Sequence, residues 1–389
     1  MKILSIVGAR PQFVKMAVIC RAVKRLGEPS VQHRIVHTGQ HYDFQMSDVF
    51  FQELGIDAPD HQLGVGSASH GDQTGEMLKR LEPVLMEEEP DWVVLYGDTN
   101  STLAGAIVAS KLGQKLAHVE AGLRSYNRHR PEELNRIVAD HLSDLLLCPT
   151  AAAMENAGKE GLADRAFLTG DVMFDATLAY RQAAERREGT LSNRWEPGAF
   201  ALATVHRAEN TDDPDRLRSI FLALDQIARQ ICPVVLPLHP RTRKSMELFG
   251  CSLREVQVLP ACSYLEMLLL ESRARFILTD SGGIQKEAYF VKTPCITLRD
   301  ETEWVETLEN NCNVLAGADR EKIVHAASNF NIAGPWAAVY GDGASGRRIV
   351  EILGEFTPKS GNAFLKRTTD TGKLGPQIAP VLESQIAGS

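Results

Sequence analysis

Three carboxylates in the first half of the chain stand where a strand ends or a helix begins. Asp98 follows the apolar run Trp92–Tyr96 in Gly97-Asp98-Thr99-Asn100, Glu120 closes the next such run in His118-Val119-Glu120-Ala121-Gly122, and Glu132 belongs to Pro131-Glu132-Glu133, which opens a helix. Acids at the ends of neighbouring strands converge on one crevice, where mutual repulsion can lift one pKa far enough for general acid and base work. Each also has an ordinary use. Asp98 could cap the helix near 101, Glu120 could pair with Arg124, and Glu132 could complement the helix dipole behind Pro131, a stabilisation of ~0.3–1 kcal/mol. Three separate coincidences are a weaker account than one shared site.

In the second half, an apolar run ends in Thr279-Asp280-Ser281-Gly282-Gly283, and Ile284-Gln285-Lys286-Glu287 opens a helix. The two glycines let the backbone approach a ligand closely, the serine hydroxyl can donate, and the N–H groups of the helix start favour an anion. This is a phosphate cradle without a Walker lysine, held at the turn Asp280 to Gly283; an N-capped strand-to-helix turn would look similar. Glu287, one turn into the helix, is placed to accept from two vicinal hydroxyls, as a ribose presents. Near the N-terminus, Gly8-Ala9-Arg10-Pro11-Gln12 has one glycine where a dinucleotide fingerprint needs three. Its expected use is to present Arg10, with Lys15 on the first turn of a helix starting near Phe13. Thr204-Val205-His206-Arg207 and Pro237-Leu238-His239-Pro240-Arg241 each place a histidine and an arginine on the opposite wall. No spacing of His, Cys or Asp suggests a metal site, and no Gly-x-Ser-x-Gly elbow suggests a hydrolase.

These groups need a scaffold. Short β-branched or Leu-rich runs alternate with amphipathic segments along almost the whole length, the pattern of βαβ units and parallel sheets. Strands are predicted at about 2–8, 33–38, 91–97, 115–120, 144–149 and 166–169, with helices such as Phe13 to Leu26, Gly71 to Glu88 and Ser101 to Lys111 between them. After the polar stretch Glu185 to Pro197 the pattern restarts, with strands near 200–205, 233–238, 256–259, 274–279, 294–298 and 313–315. A chain of 389 residues exceeds what one core usually fills. The predicted organisation is therefore a first α/β domain over 1–170 carrying the acids and a second over 171–340 carrying the cradle. A helix within 341–358 should pack back toward the first domain, and 359–389 should be a loosely held tail. The helix Val172 to Arg186 is expected to bridge the two sheets. Ligands of open parallel sheets bind beyond the carboxyl ends of the strands, so the site belongs in the cleft between the domains.

Composition narrows the setting. With 44% apolar and 24% charged residues and no apolar run near the ~20 residues of a membrane span, the chain reads as a cytoplasmic protein without a membrane partner. Its start, Met1-Lys2-Ile3-Leu4-Ser5, runs straight into a strand pattern without a signal peptide's apolar stretch. Seven cysteines without a C-x-x-C pair read as buried thiols. A net charge of −8 argues against a nonspecific nucleic-acid binder, so an anionic ligand must be held by local cations and helix ends.

Taken together, the motifs resemble the non-hydrolysing UDP-N-acetylglucosamine 2-epimerases. The resemblance spans about residues 2 to 330. It rests on Gly8-Ala9-Arg10-Pro11, Thr38-Gly39-Gln40-His41, Gly97-Asp98-Thr99, His118 to Arg124, Pro131-Glu132-Glu133 with Asn135-Arg136, His206-Arg207 with Glu209-Asn210, and Asp280 to Gln285 with Glu287. It implies a GT-B-like fold of two Rossmann-like parallel-sheet domains, a homodimer, no cofactor and a UDP-sugar substrate. The reaction it implies inverts C2 of a UDP-linked N-acetylhexosamine by loss of UDP to a 2-acetamidoglucal and its re-addition, in surface-polysaccharide biosynthesis. By position Asp98, Glu120 and Glu132 are the implied acid and base groups, with His206 facing the diphosphate or sugar. Arg10, Lys15, His41, Arg136, His239, Ser281, Gly282, Gly283 and Glu287 are the implied substrate ligands.

The chain also departs from the better-known members. Ala9 and Gln12 stand where they read Thr and Glu, Ala208 replaces a second arginine, and Trp304-Val305 replaces Arg-Pro after Thr302-Glu303. Asp43 and the run Gly64 to Asp72 differ in the region resembling a regulatory UDP-N-acetylglucosamine pocket, which counts against that regulation. Such changes resemble the branch acting on UDP-2,3-diacetamido-2,3-dideoxyglucuronate. A GT-B glycosyltransferase would share the fold and cradle but need an acceptor surface and no acid cluster. A degenerate sugar-nucleotide sensor would have lost the acids, and all three are present.

Overall fold

The computed structural model describes residues 1–27, 30–40, 51, 53–186 and 194–357. Residues 1–355 form one compact unit; of the second, 356–389, only Phe356 and Thr357 are described. The expected tail at 359–389 and the candidate ligand His41 therefore lie outside the described residues.

Two parallel sheets organise the chain. The first contains β1 (Lys2–Val7), β2 (Gln32–His37), β3 (His61–Gln62), β4 (Trp92–Tyr96), β5 (Leu116–Val119), β6 (Leu145–Cys148) and β7 (Ala166–Leu168), in the spatial order β3-β2-β1-β4-β5-β6-β7. The second contains β8 (Ala201–Thr204), β9 (Val234–Pro237), β10 (Gln257–Leu259), β11 (Phe276–Thr279), β12 (Cys295–Thr297) and β13 (Asn313–Leu315), in the order β10-β9-β8-β11-β12-β13. Both orders reverse beside the first strand of the sheet, between β1 and β4 and between β8 and β11. That reversal opens a crevice at the carboxyl ends. The fold is GT-B-like, two parallel-sheet α/β domains. Strand β4, Trp-Val-Val-Leu-Tyr, is buried at all five positions, because helices cover both faces of a parallel sheet. β3 was not anticipated: two residues carry no readable periodicity.

Helices tie the sheets together. The Val172–Glu185 helix packs on both the Arg10–Leu26 helix and the Tyr264–Arg273 helix, so it touches elements of both halves. The Ser345–Glu355 helix returns onto Arg10–Leu26, with Gly346 against Val18 and the Trp92 indole donating to the Leu353 carbonyl at 3.0 Å. Among the described residues no helix is long and apolar enough to cross a membrane. All seven cysteines are free, five of them buried.

Candidate functional site

The turn after β1 is braced from within. The Gln12 side-chain oxygen accepts from the Gly8 and Ala9 N–H groups at 2.8 and 3.1 Å, while its nitrogen donates to the Tyr96 carbonyl at 2.8 Å and the Thr102 hydroxyl at 3.1 Å. This starts the helix at Arg10, three residues earlier than expected, and occupies backbone donors that a phosphate would otherwise use. Gly8 is required by crowding, since a Cβ there would collide with the hydroxyls of Thr38 and Ser101. Arg10 is half-buried, and its charge helps to depress the His239 imidazole.

Glu120 follows β5 in the left-handed region, at φ 70°, which a non-glycine residue adopts at a cost of about 1–3 kcal/mol. Its carboxylate lies between two buried ammonium groups, Lys15 at 2.5 Å and Lys286 at 2.7 Å, and Lys286 also reaches Asp171 at 2.7 Å. Burial opposes ionisation of Glu120, but the two cations outweigh it and hold the carboxyl at about 2. Burial likewise opposes the Lys286 charge, and Asp171 and Glu120 together raise its pKa above the ordinary lysine value. The alternative pairing of Glu120 with Arg124 is not formed. Arg124 instead meets Asp140 at 2.7 Å and Glu160 at 2.7 Å, and Asp140 accepts from the buried His118 ring at 2.7 Å and the Gly122 N–H at 3.1 Å. The motif His118 to Arg124 is thus a brace, anchored on Asp140, for the strained Glu120 backbone.

Asp98 does not cap its helix either; Thr99 does. Asp98 pairs with Arg136 at 2.5 Å, and Arg136 also holds Glu133 at 2.9 Å, so both ends of that guanidinium are engaged inside the protein. Glu133 in turn accepts from the Ser125 and Tyr126 N–H groups, both at 2.9 Å. Glu132 is half-buried and makes no hydrogen bond or ion pair among the described residues. Of the three acids, then, one is clamped by two cations, one is held by a single arginine, and one is unengaged.

On the second sheet the turn after β11 is held from within. Asp280 is fully buried, and its carboxylate accepts from the His206 and Arg207 N–H groups at 3.0 Å and from Asn210 at 3.2 Å. It shapes the loop after β8, and Ser281, Gly282 and Gly283 follow it at the start of the next helix. Ser281 caps the Gly282–Phe290 helix through the Ile284 N–H. A Cβ on Gly282 would lie 2.5 Å from a Glu303 oxygen and 3.4 Å from the Trp304 indole nitrogen, so the 299–304 loop covers the cradle. Burial opposes ionisation of Glu303, yet Arg299, Arg136 and Arg207 hold its carboxyl at about 2. The His206 and His239 rings stack 5.2 Å apart. Burial lowers both imidazoles, His239 to about 4, with help from His206, Arg10 and Arg241, which leaves both neutral near pH 7. Glu287 is buried, and burial lifts its carboxyl to about 7 against the opposing effects of Lys286, Tyr264 and Lys15. Among the described residues no group of His, Cys, Asp and Glu forms a metal cluster.

Lys286, Asp171, Glu303 and Trp304 were missed. Lys286 sits in the cradle motif between Gln285 and Glu287, where a lysine on a helix reads as solvated. Its only signal was its neighbourhood.

The sequence model of the UDP-N-acetylglucosamine 2-epimerase family matches residues 24–354. The chain belongs to that family. It is 50% identical to the UDP-2,3-diacetamido-2,3-dideoxy-D-glucuronate 2-epimerase of Pseudomonas aeruginosa, over 91% of this chain and 99% of that protein. It is 42% identical to the UDP-N-acetylglucosamine 2-epimerase of Methanocaldococcus jannaschii, again over 91% and 99%. The crystal structure of the M. jannaschii epimerase with UDP-GlcNAc and UDP matches with a TM-score of 0.85, covering 91% of this chain and all of that one. The Neisseria meningitidis epimerase bound to UDP-GlcNAc matches with a TM-score of 0.81 at 28% identity, with the same coverage. As a member of an epimerase family, the protein is an isomerase.

Proposed function

We propose that the protein inverts C2 of a UDP-linked 2-acetamido sugar without hydrolysing it, with UDP-N-acetylglucosamine as substrate. The observation that carries this reading is the 2.7 Å contact between Lys286 and Glu120. It joins the helix that follows Ser281 to the acid that follows β5 of the other sheet, as a substrate spanning a diphosphate and the adjoining sugar carbons requires.

The chemistry follows from the substrate. The C2 hydrogen is not next to a carbonyl and is barely acidic, so the C1–O bond breaks first and its electron pair leaves with the diphosphate. The oxocarbenium-like carbon then acidifies C2, a carboxylate takes the proton, and a C1=C2 bond forms. Reprotonation of C2 on the opposite face and attack of UDP on C1 complete the inversion. Ser281, Gly282, Gly283 and Arg10 would hold UDP throughout, His206 and His239 would donate hydrogen bonds as neutral rings, Glu287 would meet the ribose, and Lys15 would act through Glu120. Stabilising the departing anion is the largest demand.

The 50% identity to the diacetamido-glucuronate epimerase favours a second reading, in which the sugar is that uronate. Incubation with each UDP-sugar in D2O tests both. Deuterium at C2 of the returned pool is the expected result with one of them, and unlabelled sugar with both would refute the proposal.

A further inference from the structure

We propose that Lys286 is a positioning residue for this reaction: clamped between Glu120, Asp171 and the Trp304 ring, it holds Glu120 as a fixed anion and leaves the proton transfers to Asp98 and Glu132. The inference rests on the proposed epimerase reading and assigns roles within it.

The geometry carries the assignment. The Lys286 ammonium lies 2.7 Å from Glu120, 2.7 Å from Asp171 and 3.8 Å from the Trp304 ring centre. It is 2% exposed, so two carboxylates and an aromatic face replace its hydration shell. The second Glu120 oxygen is taken by Lys15 at 2.5 Å, itself buried. With both oxygens engaged and a strained φ of 70°, the Glu120 carboxylate has little freedom to turn toward a proton at C2. A carboxyl held at about 2 is also a weak base. Asp98, with one arginine, and Glu132, without a hydrogen-bond or ion-pair partner among the described residues, are not clamped in this way. Trp304 couples this clamp to the cradle, because its indole nitrogen sits beside Gly282 while its ring covers Lys286. The titratable groups that face Glu120 are Lys15, Lys286 and, at longer range, Tyr340, with Asp171 acting through the shared ammonium and Glu287 on the Lys286 helix.

Two variants of the full chain test the assignment, Lys286→Gln and Lys286→Arg. In protein labelled with 13C at the glutamate carboxyls, the Glu120 signal, assigned by its loss in Glu120→Gln, should stay ionised from pH 5 to 9 in wild type and in Lys286→Arg. In Lys286→Gln it should titrate inside that range. This readout needs no substrate, so it separates failure of the clamp from failure of the epimerase reading. With the UDP-sugar that wild type turns over, Lys286→Gln should lose roughly a hundredfold in kcat and shift the acid limb of its pH profile up by more than one pH unit. Lys286→Arg should keep the wild-type limb and recover part of the rate. A Glu120 signal that titrates alike in wild type and Lys286→Gln, or a kcat loss with an unshifted limb, overturns the proposal and makes Lys286 a packing element.

Discussion

Replacing Glu120 by glutamine should destabilise the protein by roughly 3 kcal/mol near neutral pH, in a manner that fades in acid. A carboxyl held at about 2 rather than its ordinary 4.5 corresponds to roughly 3 kcal/mol of preference for the folded, ionised form at 1.36 kcal/mol per pH unit. Because the group is buried, little of this is screened by solvent. The amide keeps the shape and accepts from one ammonium, but Lys15 then loses the carboxylate that compensates its burial, which is the same interaction seen from its partner and not an addition to it. The folded value lies below the unfolded one, so the contribution is complete above about pH 4.5 and disappears as the pH falls toward about 2. Urea unfolding of wild type and variant should give a constant gap from pH 6 to 9, narrowing to roughly 2 kcal/mol at pH 3.5. A gap under about 1 kcal/mol, or one independent of pH down to 3.5, would show that the two lysines do not hold this carboxylate as described.

Two further outcomes are expected. Asp98→Asn and Glu132→Gln should each reduce C2 exchange by a hundredfold or more, of the order of one lost acid or base group, while isothermal titration still finds UDP bound with near wild-type affinity; wild-type exchange in either variant removes that residue from the mechanism. Glu287 has the opposite sign to Glu120. Its folded value of about 7 exceeds the ordinary 4.5, so the stability it contributes is full below about pH 4.5 and is lost as the pH rises through 7. Glu287→Gln should therefore unfold at higher urea than wild type at pH 8, by up to roughly 3 kcal/mol, with a smaller difference at pH 5. Equal differences at the two pH values would refute this.

Much of the site was legible because it depends on local pattern. Parallel strands announce themselves by apolar runs, and a residue just past such a run lies at the carboxyl end of the sheet; this placed Asp98, Glu120, His206 and Ser281 without knowledge of any contact. The Gly282-Gly283 pair marked the helix start beyond β11 for the same reason. The inward turn of the Asp280 side chain was not legible, since direction at a strand end is set by which side the following loop packs, and here three donors of the 206–210 loop hold it.

The sequence by itself therefore determined two parallel sheets, the crevice between them, the family and the roster of acids. The charge on Glu120 was decided by tertiary structure. Glu120 is an anion because Lys15 and Lys286 reach it from positions 105 and 166 residues away, and Lys286 is charged because Asp171 meets it from 115 residues away. Helical or strand periodicity extends over a few residues, whereas pKa depends on through-space distance and burial, and those exist only once both sheets are in place.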